Sequence, residues 1–173
     1  MITDEALARV RGWFVGRLPE DWQTEPPQIT VDREEITVVL TLSDVEPPEA
    51  DGVGAVAEAR EGRARAFRED TRAARMSIAR EAERRYDRKV SWGVRVGDRD
   101  ELFTNVAAPV MTRLRQPQRQ VLDTLVDAGV ARSRSEALAW CVRLVGQHET
   151  DWLAELREAM THVADVRGRG PAA

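Results

Sequence analysis

The stretch "GVARSRSEALAWCVRLV", from Gly129 to Val145, decides how the C-terminal part of the chain folds. Two arginines and two serines form a polar turn, and nearly every residue after Glu136 is apolar. A helix on a protein surface ordinarily keeps one polar face. Most of the circumference of this helix must therefore be covered, either by the rest of the chain or by a second copy.

The start of this helix has the spacing of a capping box, because Ser133 and Glu136 stand three residues apart. We expect the Ser133 hydroxyl to accept from the Glu136 N–H and the Glu136 side chain to reach back. The helix N-terminus, with Arg132, Arg134 and Ser135 around it, then offers a site for an anion such as a phosphate.

The residues before this turn add a strand and a helix. "PVMTRLR" alternates in polarity over Val110 to Arg115 and predicts a short strand. A helix is expected from Pro117 to Ala128, with Gly129 as its stop. A third helix is expected over about residues 151–167.

Residues 110–146, "VMTRLRQPQRQVLDTLVDAGVARSRSEALAWCVRLV" and the glycine after it, resemble the ribbon-helix-helix family of DNA-binding dimers. The resemblance implies that strands of two copies pair antiparallel and enter the DNA major groove. It implies that the second helices form the dimer core and that their N-termini hold a phosphate.

Carried over to this sequence, the resemblance assigns roles to residues of the C-terminal region. Arg113 and Met111 would face the DNA bases, while Val110, Thr112 and Leu114 would face inward. The other assignments are the phosphate contacts Arg115, Arg132, Ser133, Arg134 and Ser135, and the dimer core Leu114, Leu122, Leu138, Trp140, Cys141 and Leu144. Two departures matter: Arg113 is the only strong base reader, and about 105 residues precede the strand, which could instead pair with "ELFTN" of its own chain.

A helix-turn-helix interpretation of residues 117–145 is the competing one. It would need polar residues on the second helix to read base edges. "ALAWCVRL" offers almost none, so the sequence favours the ribbon-helix-helix interpretation.

The first 105 residues predict a separate two-layer α+β domain of order α-β-β-α-β-β, followed by residues 106–173 as the ribbon-helix-helix-like unit and a C-terminal helix. A helix is expected over residues 4–18, and "QITVD" and "ITVVLTL" predict a hairpin. The acidic, Pro- and Gly-rich segment at about 43–62 predicts a mobile linker. One long helix follows over 63–88, with Phe67, Thr71, Ala74, Ile78, Ala82 and Tyr86 on one face, and then a hairpin from "VSWGVRV" and "ELFTNV".

Charge is unevenly distributed along the chain, whose net charge is −4. Residues 1–58 hold 4 basic and 13 acidic side chains, whereas residues 106–149 hold 6 basic and 4 acidic ones. A DNA-binding surface must therefore be a local patch, and the acidic N-terminal domain is expected to contact a protein rather than nucleic acid.

A single cysteine and the lack of a leader-like or membrane-spanning apolar run predict a cytoplasmic protein without membrane contact.

Sequence motifs for catalysis or metal binding are weak. His148 and His162 lack companion ligands at metal-binding spacing, Cys141 lies inside an apolar helix, and "GVGAV" lacks the lysine of a phosphate loop. We therefore expect no enzyme, no metal and no cofactor.

The sequence predicts a homodimeric DNA-binding transcriptional regulator or nucleoid-associated protein. The alternative is a non-enzymatic scaffold that uses the same module only to dimerise.

Overall fold

The computed structural model describes residues 4–45, 53–104 and 106–169. The chain divides into two compact units, Met1–Pro109 and Val110–Ala173. None of the helices in the described ranges combines the length and the apolar character needed to cross a membrane.

The described part of the N-terminal unit contains four helices or helical turns and four strands. In chain order these are α1 (Asp4–Arg17), a single 3₁₀ turn (Glu20–Trp22), β1 (Gln28–Val31), β2 (Glu35–Leu42), α2 (Val53–Asp70), α3 (Arg72–Tyr86), β3 (Lys89–Val96) and β4 (Arg99–Leu102). The C-terminal unit contains α4 (Gln116–Asp127), α5 (Arg134–His148) and α6 (Thr150–Arg169). The predicted α+β class is confirmed.

The four strands form one sheet in the order β1-β2-β3-β4. β1 and β2 pair antiparallel, as do β3 and β4, while β2 and β3 run parallel over eight residue pairs from Glu35↔Lys89 to Leu42↔Val96. A parallel pair needs a long crossover, and α2 and α3 lie in that connection.

The core of this unit forms where the helices pack on one sheet face. Alternate residues of β2 are buried, beginning with Ile36 and ending with Leu42, as expected when one face of a strand is covered. Phe14 of α1 and Ile78 of α3 are fully buried in the same cluster as Val94 of β3. The β-branched and aromatic residues that predicted the strands therefore also supply the core.

The helix α2 corrects the predicted linker at 43–62. It begins at Val53, so residues 53–62 are helical, and residues 46–52 of the predicted linker lie outside the described residues. Alanine, glutamate and arginine are good helix formers and outweigh the glycines of this segment. Arg60 also anchors the helix, because its guanidinium pairs with Asp44 at 2.7 Å and with Asp98.

The long helix predicted over 63–88 is interrupted. α2 ends at Asp70, Thr71 lies between the helices, and α3 begins at Arg72. The predicted buried face is wrong at one position, since Ala74 is exposed and Arg75 is buried instead.

In the C-terminal unit the predicted strand is not formed by the single chain. Residues 106–115 have no regular secondary structure, and in the described part of the chain no strand pairs with them. Pairing with "ELFTN" is not observed either: β4 ends at Leu102 and pairs with β3, while Asn105 lies outside the described residues. Gly129 ends the turn after α4 with a φ of 73°, a conformation that glycine adopts without strain.

Candidate nucleic-acid interface

The start of α5 is fixed by a side-chain cap. Ser133 has an extended backbone, and its Oγ accepts a hydrogen bond from the Glu136 N–H at 3.2 Å. The Glu136 carboxylate accepts from the backbone N–H of Arg132 at 2.9 Å, one residue earlier than in a standard capping box. This hydrogen bond, with the Arg132 side chain, holds the pKa of Glu136 below its ordinary value.

The two arginines predicted to hold a phosphate at the start of α5 are both engaged by carboxylates. Arg134 Nε and Nη2 donate to Asp123 Oδ1 and Oδ2 at 2.6 and 2.8 Å, which joins α5 to α4. The hydrogen bonds of this pair lower the pKa of Asp123 and raise that of Arg134. Arg132 Nε lies 3.3 Å from Glu136 Oε2. A phosphate at this helix N-terminus would have to compete with both carboxylates, while the exposed Ser135 hydroxyl remains accessible.

The predicted base-reading segment is exposed in the single chain. Met111 is 97% exposed and Val110 87% exposed, and only Leu114 is half-buried. The inward orientation predicted for Val110 and Thr112 is thus not observed within one chain, because no strand of the described residues covers that side.

Positive charge is concentrated at the end of this segment. Arg113, Arg115 and Arg119 lie within seven residues that contain no acidic side chain. Arg119 Nη1 donates to the Leu114 carbonyl at 2.7 Å, and the Arg115 N–H donates to Gln118 Oε1 at 2.9 Å, which together shape the start of α4. Among the described residues, no carboxylate forms an ion pair with Arg113 or Arg115, so both guanidinium groups can meet phosphates or bases.

The predicted dimer-core residues are only partly covered by the chain itself. Leu122 is buried with Ala131 and Ala137, and Leu114, Leu138 and Cys141 pack against this small cluster. Trp140 is half-buried, and Leu144 is 37% exposed. Further large apolar side chains are exposed: Val121, Val130, Val142, Val145, Trp152, Leu156, Met160, Val163 and Val166. The apolar circumference of α5 noted in the sequence is therefore not fully covered by the described part of the chain.

The described residues contain no group of three or more histidine, cysteine or acidic side chains that could hold a metal ion. Cys141 is a half-buried free thiol, and His148 and His162 are exposed.

The sequence prediction missed Asp123 as a member of this site. Its partner Arg134 lies 11 residues further along the chain, on the next helix. A carboxylate on the exposed side of α4 is an ordinary feature of an amphipathic helix, and no local signal marks it as the partner of Arg134.

These observations define a two-unit α+β protein in which a helical C-terminal unit follows a four-stranded sheet domain. The chain belongs to the Rv1265-like protein family, whose N-terminal domain model matches residues 8–102. A second family model, the Mb1296 C-terminal domain, matches residues 115–167.

Three mycobacterial relatives are similar along most of the chain. The uncharacterized proteins Rv1265 and MT1303 of Mycobacterium tuberculosis and Mb1296 of Mycobacterium bovis are each 60% identical over 159 residues. The matched region covers 92% of this chain and 69% of each relative. No solved structure matches the chain significantly.

Proposed function

We propose that this protein is a homodimeric, cytoplasmic DNA-binding protein, a transcriptional regulator or nucleoid-associated protein, that reads the major groove with a two-stranded ribbon. Each subunit would contribute the segment from Val110 to Arg115, which pairs with its symmetry mate only in the dimer. Such a ribbon takes one strand from each copy. The segment is therefore not expected to have a strand partner within its own chain.

The observation that carries the proposal is the exposed apolar surface of α5 in the same unit as Val110–Arg115, a segment without a strand partner among the described residues. Val142 is 66% exposed, Val145 48% and Leu144 37%. Fully burying an exposed valine or leucine side chain contributes about 1.5–3 kcal/mol, and covering these partly exposed ones contributes a part of that. An exposed strand edge also tends to pair with another chain. A second copy placed over α5 would satisfy both needs together.

DNA is the partner that the charge distribution favours. Arg113, Arg115 and Arg119 would be doubled along the ribbon of a dimer, without an intervening acidic residue. Arginine is the side chain that most often reads guanine in the major groove, by two hydrogen bonds. The chain as a whole carries a net charge of −4, so DNA contact would depend on this local basic strip rather than on the whole surface.

A second candidate is the scaffold function, in which the C-terminal unit only dimerises. It is favoured by one specific observation: Arg132 and Arg134 are already neutralised by Glu136 and Asp123. In this case the acidic N-terminal unit would bind a protein partner.

The experiment combines sedimentation with DNA titration of the full chain. We expect a dimer at micromolar concentration and binding to labelled genomic fragments that weakens about a hundredfold from about 50 to about 200 mM salt, as for four phosphate contacts. A stable monomer would remove both candidates. A dimer that does not bind DNA at the lower salt would leave the scaffold.

A further inference from the structure

A cavity of about 440 Å³ opens in the N-terminal unit, where the junction of α2 and α3 faces β3. Its residues, from Arg68 to Thr104, all belong to the N-terminal unit, whereas the sequence features that suggested DNA binding belong to the C-terminal unit. Its volume falls in the range of small-molecule sites, roughly 300–1,000 Å³.

Arg75 is the side chain that makes this cavity unusual. It is only 6% exposed, yet in the described structure no carboxylate pairs with it. Its Nε donates to Thr71 Oγ1 at 2.9 Å, and its Nη2 donates to the Arg68 carbonyl at 2.6 Å. A guanidinium has five N–H groups, so about three remain for another acceptor. A buried charge without a counter-charge is costly, and a bound anion would remove that cost.

The charges around Arg75 also favour the binding of an anion. Arg68, Arg72 and Arg80 also line the cavity, against a single acid, Glu83, which lies 3.6 Å from Lys89 Nζ. Burial, and then repulsion by Arg68 and Arg72, lowers the pKa of Arg75 to about 10. The guanidinium is still charged near neutral pH, and its surroundings favour the approach of a negative group.

Part of the cavity lining is apolar. The Phe103 ring lies under Arg75, with the guanidinium carbon 4.8 Å from the ring centroid, and Val90 and Trp92 extend this lining. The indole Nε1 of Trp92 is buried and has no acceptor among the described residues. An apolar wall beside convergent donors is the usual composition of a site for an amphipathic small molecule.

We propose that this cavity binds a small organic anion, with its carboxylate or phosphate held by Arg75 and the rim arginines and its flat apolar body against Phe103 and Trp92. The site does not depend on the DNA-binding proposal, because none of its residues belongs to the C-terminal unit.

Calorimetric titration of the full chain with four probes tests the ligand class. 1-Naphthyl phosphate and 1-naphthoate carry both features, 1-naphthol lacks the charge, and inorganic phosphate lacks the apolar body. We expect one or both naphthyl anions to bind at one site per chain, at least about tenfold tighter than either single-feature probe. The preferred anion identifies the head group. Equal affinity for inorganic phosphate and the naphthyl anions, or no binding of either anion, would overturn the proposal.

Variants then locate the site. Arg75→Gln should weaken the preferred anion about ten- to a hundredfold, the usual effect of losing a charge-assisted hydrogen bond in a buried site. Arg65→Gln removes the same charge from an exposed position of α2 outside the cavity and should leave binding unchanged. Circular dichroism establishes that each variant is folded.

A purely structural role of Arg75, as a tie across the helix break, would reduce stability without changing which probe is preferred. If Arg75→Gln does not fold, the double variant Arg68→Gln with Arg72→Gln replaces it, because both side chains are exposed on the rim. A folded variant of either kind that binds the anion as tightly as the wild type would place the ligand elsewhere and refute the site.

Discussion

Asp123 and Arg134 form a two-pronged ion pair across the α4–α5 turn, with contacts of 2.6 and 2.8 Å. Asp123 thus binds the Arg134 guanidinium, which the family resemblance assigns to a DNA phosphate. Because the Arg134 side chain is 60% exposed, a phosphate can compete for it, but at the expense of a bond already made within the chain.

Replacing Asp123 by Asn should therefore strengthen DNA binding. The amide keeps the shape of the side chain but loses the charge, so Arg134 is released for a phosphate. We expect Asp123→Asn to raise affinity for random DNA and to steepen the salt dependence by about one contact per subunit. Asp127→Asn, which removes the same charge from the same helix at a position without an arginine partner among the described residues, is the control. Identical isotherms for the two variants would show that Arg134 does not contact phosphate.

The same ion pair illustrates what the sequence could and could not predict. The end of α4 and the start of α5 followed from Gly129 and the Ser133 cap, which are local signals. The partner of Arg134 depends on how α4 and α5 pack, and the alternation of "VMTRLR" cannot indicate whether a strand partner exists within one chain.

In the N-terminal unit the strands could be predicted from the sequence, but the residues that α2 and α3 bury could not. Alternating β-branched residues predicted β2, because successive side chains of a strand point to opposite faces of the sheet. Nothing in the sequence distinguishes Arg75 from its neighbours, since arginines recur along the whole of α2 and α3. Its burial depends on Phe103, which lies 28 positions away in the sequence, and no local pattern encodes that contact.

Arg113 and Arg115 should differ in what they contribute to DNA binding. Arg113→Ala should reduce the preference for specific over random DNA by about 1–3 kcal/mol, since a two-pronged guanine contact would be lost. Arg115→Ala should weaken both DNAs alike and reduce the salt slope by about one contact, because backbone contacts position without reading. Paired titrations at several salt concentrations measure both effects. A uniform loss for Arg113→Ala would leave the ribbon as a backbone binder only.

Trp140→Arg should disrupt the dimer and leave the C-terminal unit poorly folded or poorly soluble. Trp140 is half-buried in an α5 face that exposes further apolar side chains, and a charge there cannot be solvated in a dimer core. Gln147→Arg places the same charge at an exposed polar position of α5 and serves as the control. Sedimentation and circular dichroism report the outcome. A Trp140→Arg protein that stays folded as a monomer would mean that no second copy is needed to cover α5.

Two glycine substitutions should change the stability of the N-terminal unit in opposite directions. A Cβ on Gly93 would lie 2.7 Å from Leu102 Cδ2 and 2.9 Å from the Glu101 carbonyl oxygen, so Gly93→Ala should destabilise the sheet by about 1–3 kcal/mol. Gly62 lies inside α2 with nothing within 4 Å of the added Cβ, and Gly62→Ala should stabilise by about 0.5–1 kcal/mol. Urea unfolding followed by tryptophan fluorescence measures both. A Gly93→Ala protein as stable as the wild type would contradict the close approach of β4.

Arg17 and Glu81 make the stability of the N-terminal unit depend on pH. Arg17 of α1 donates to both carboxylate oxygens of Glu81 in α3 at 2.8 Å, and this hydrogen bonding lowers the pKa of Glu81. A carboxyl group with a lowered folded-state pKa stabilises fully above its unfolded-state value of 4.5, and that contribution disappears as the pH falls through the folded-state pKa.

Glu81→Gln should consequently unfold at a lower temperature than the wild type near neutral pH. The difference should shrink as the pH is lowered below about 4.5, because the wild-type carboxyl group becomes protonated and loses its charge. Glu69→Gln, at an exposed position of α2, is the control and should follow the wild type throughout. Thermal unfolding of the three proteins over this pH range is the measurement. A difference between Glu81→Gln and wild type that stays constant down to about pH 2 would show that the Glu81 charge does not support the contact between α1 and α3.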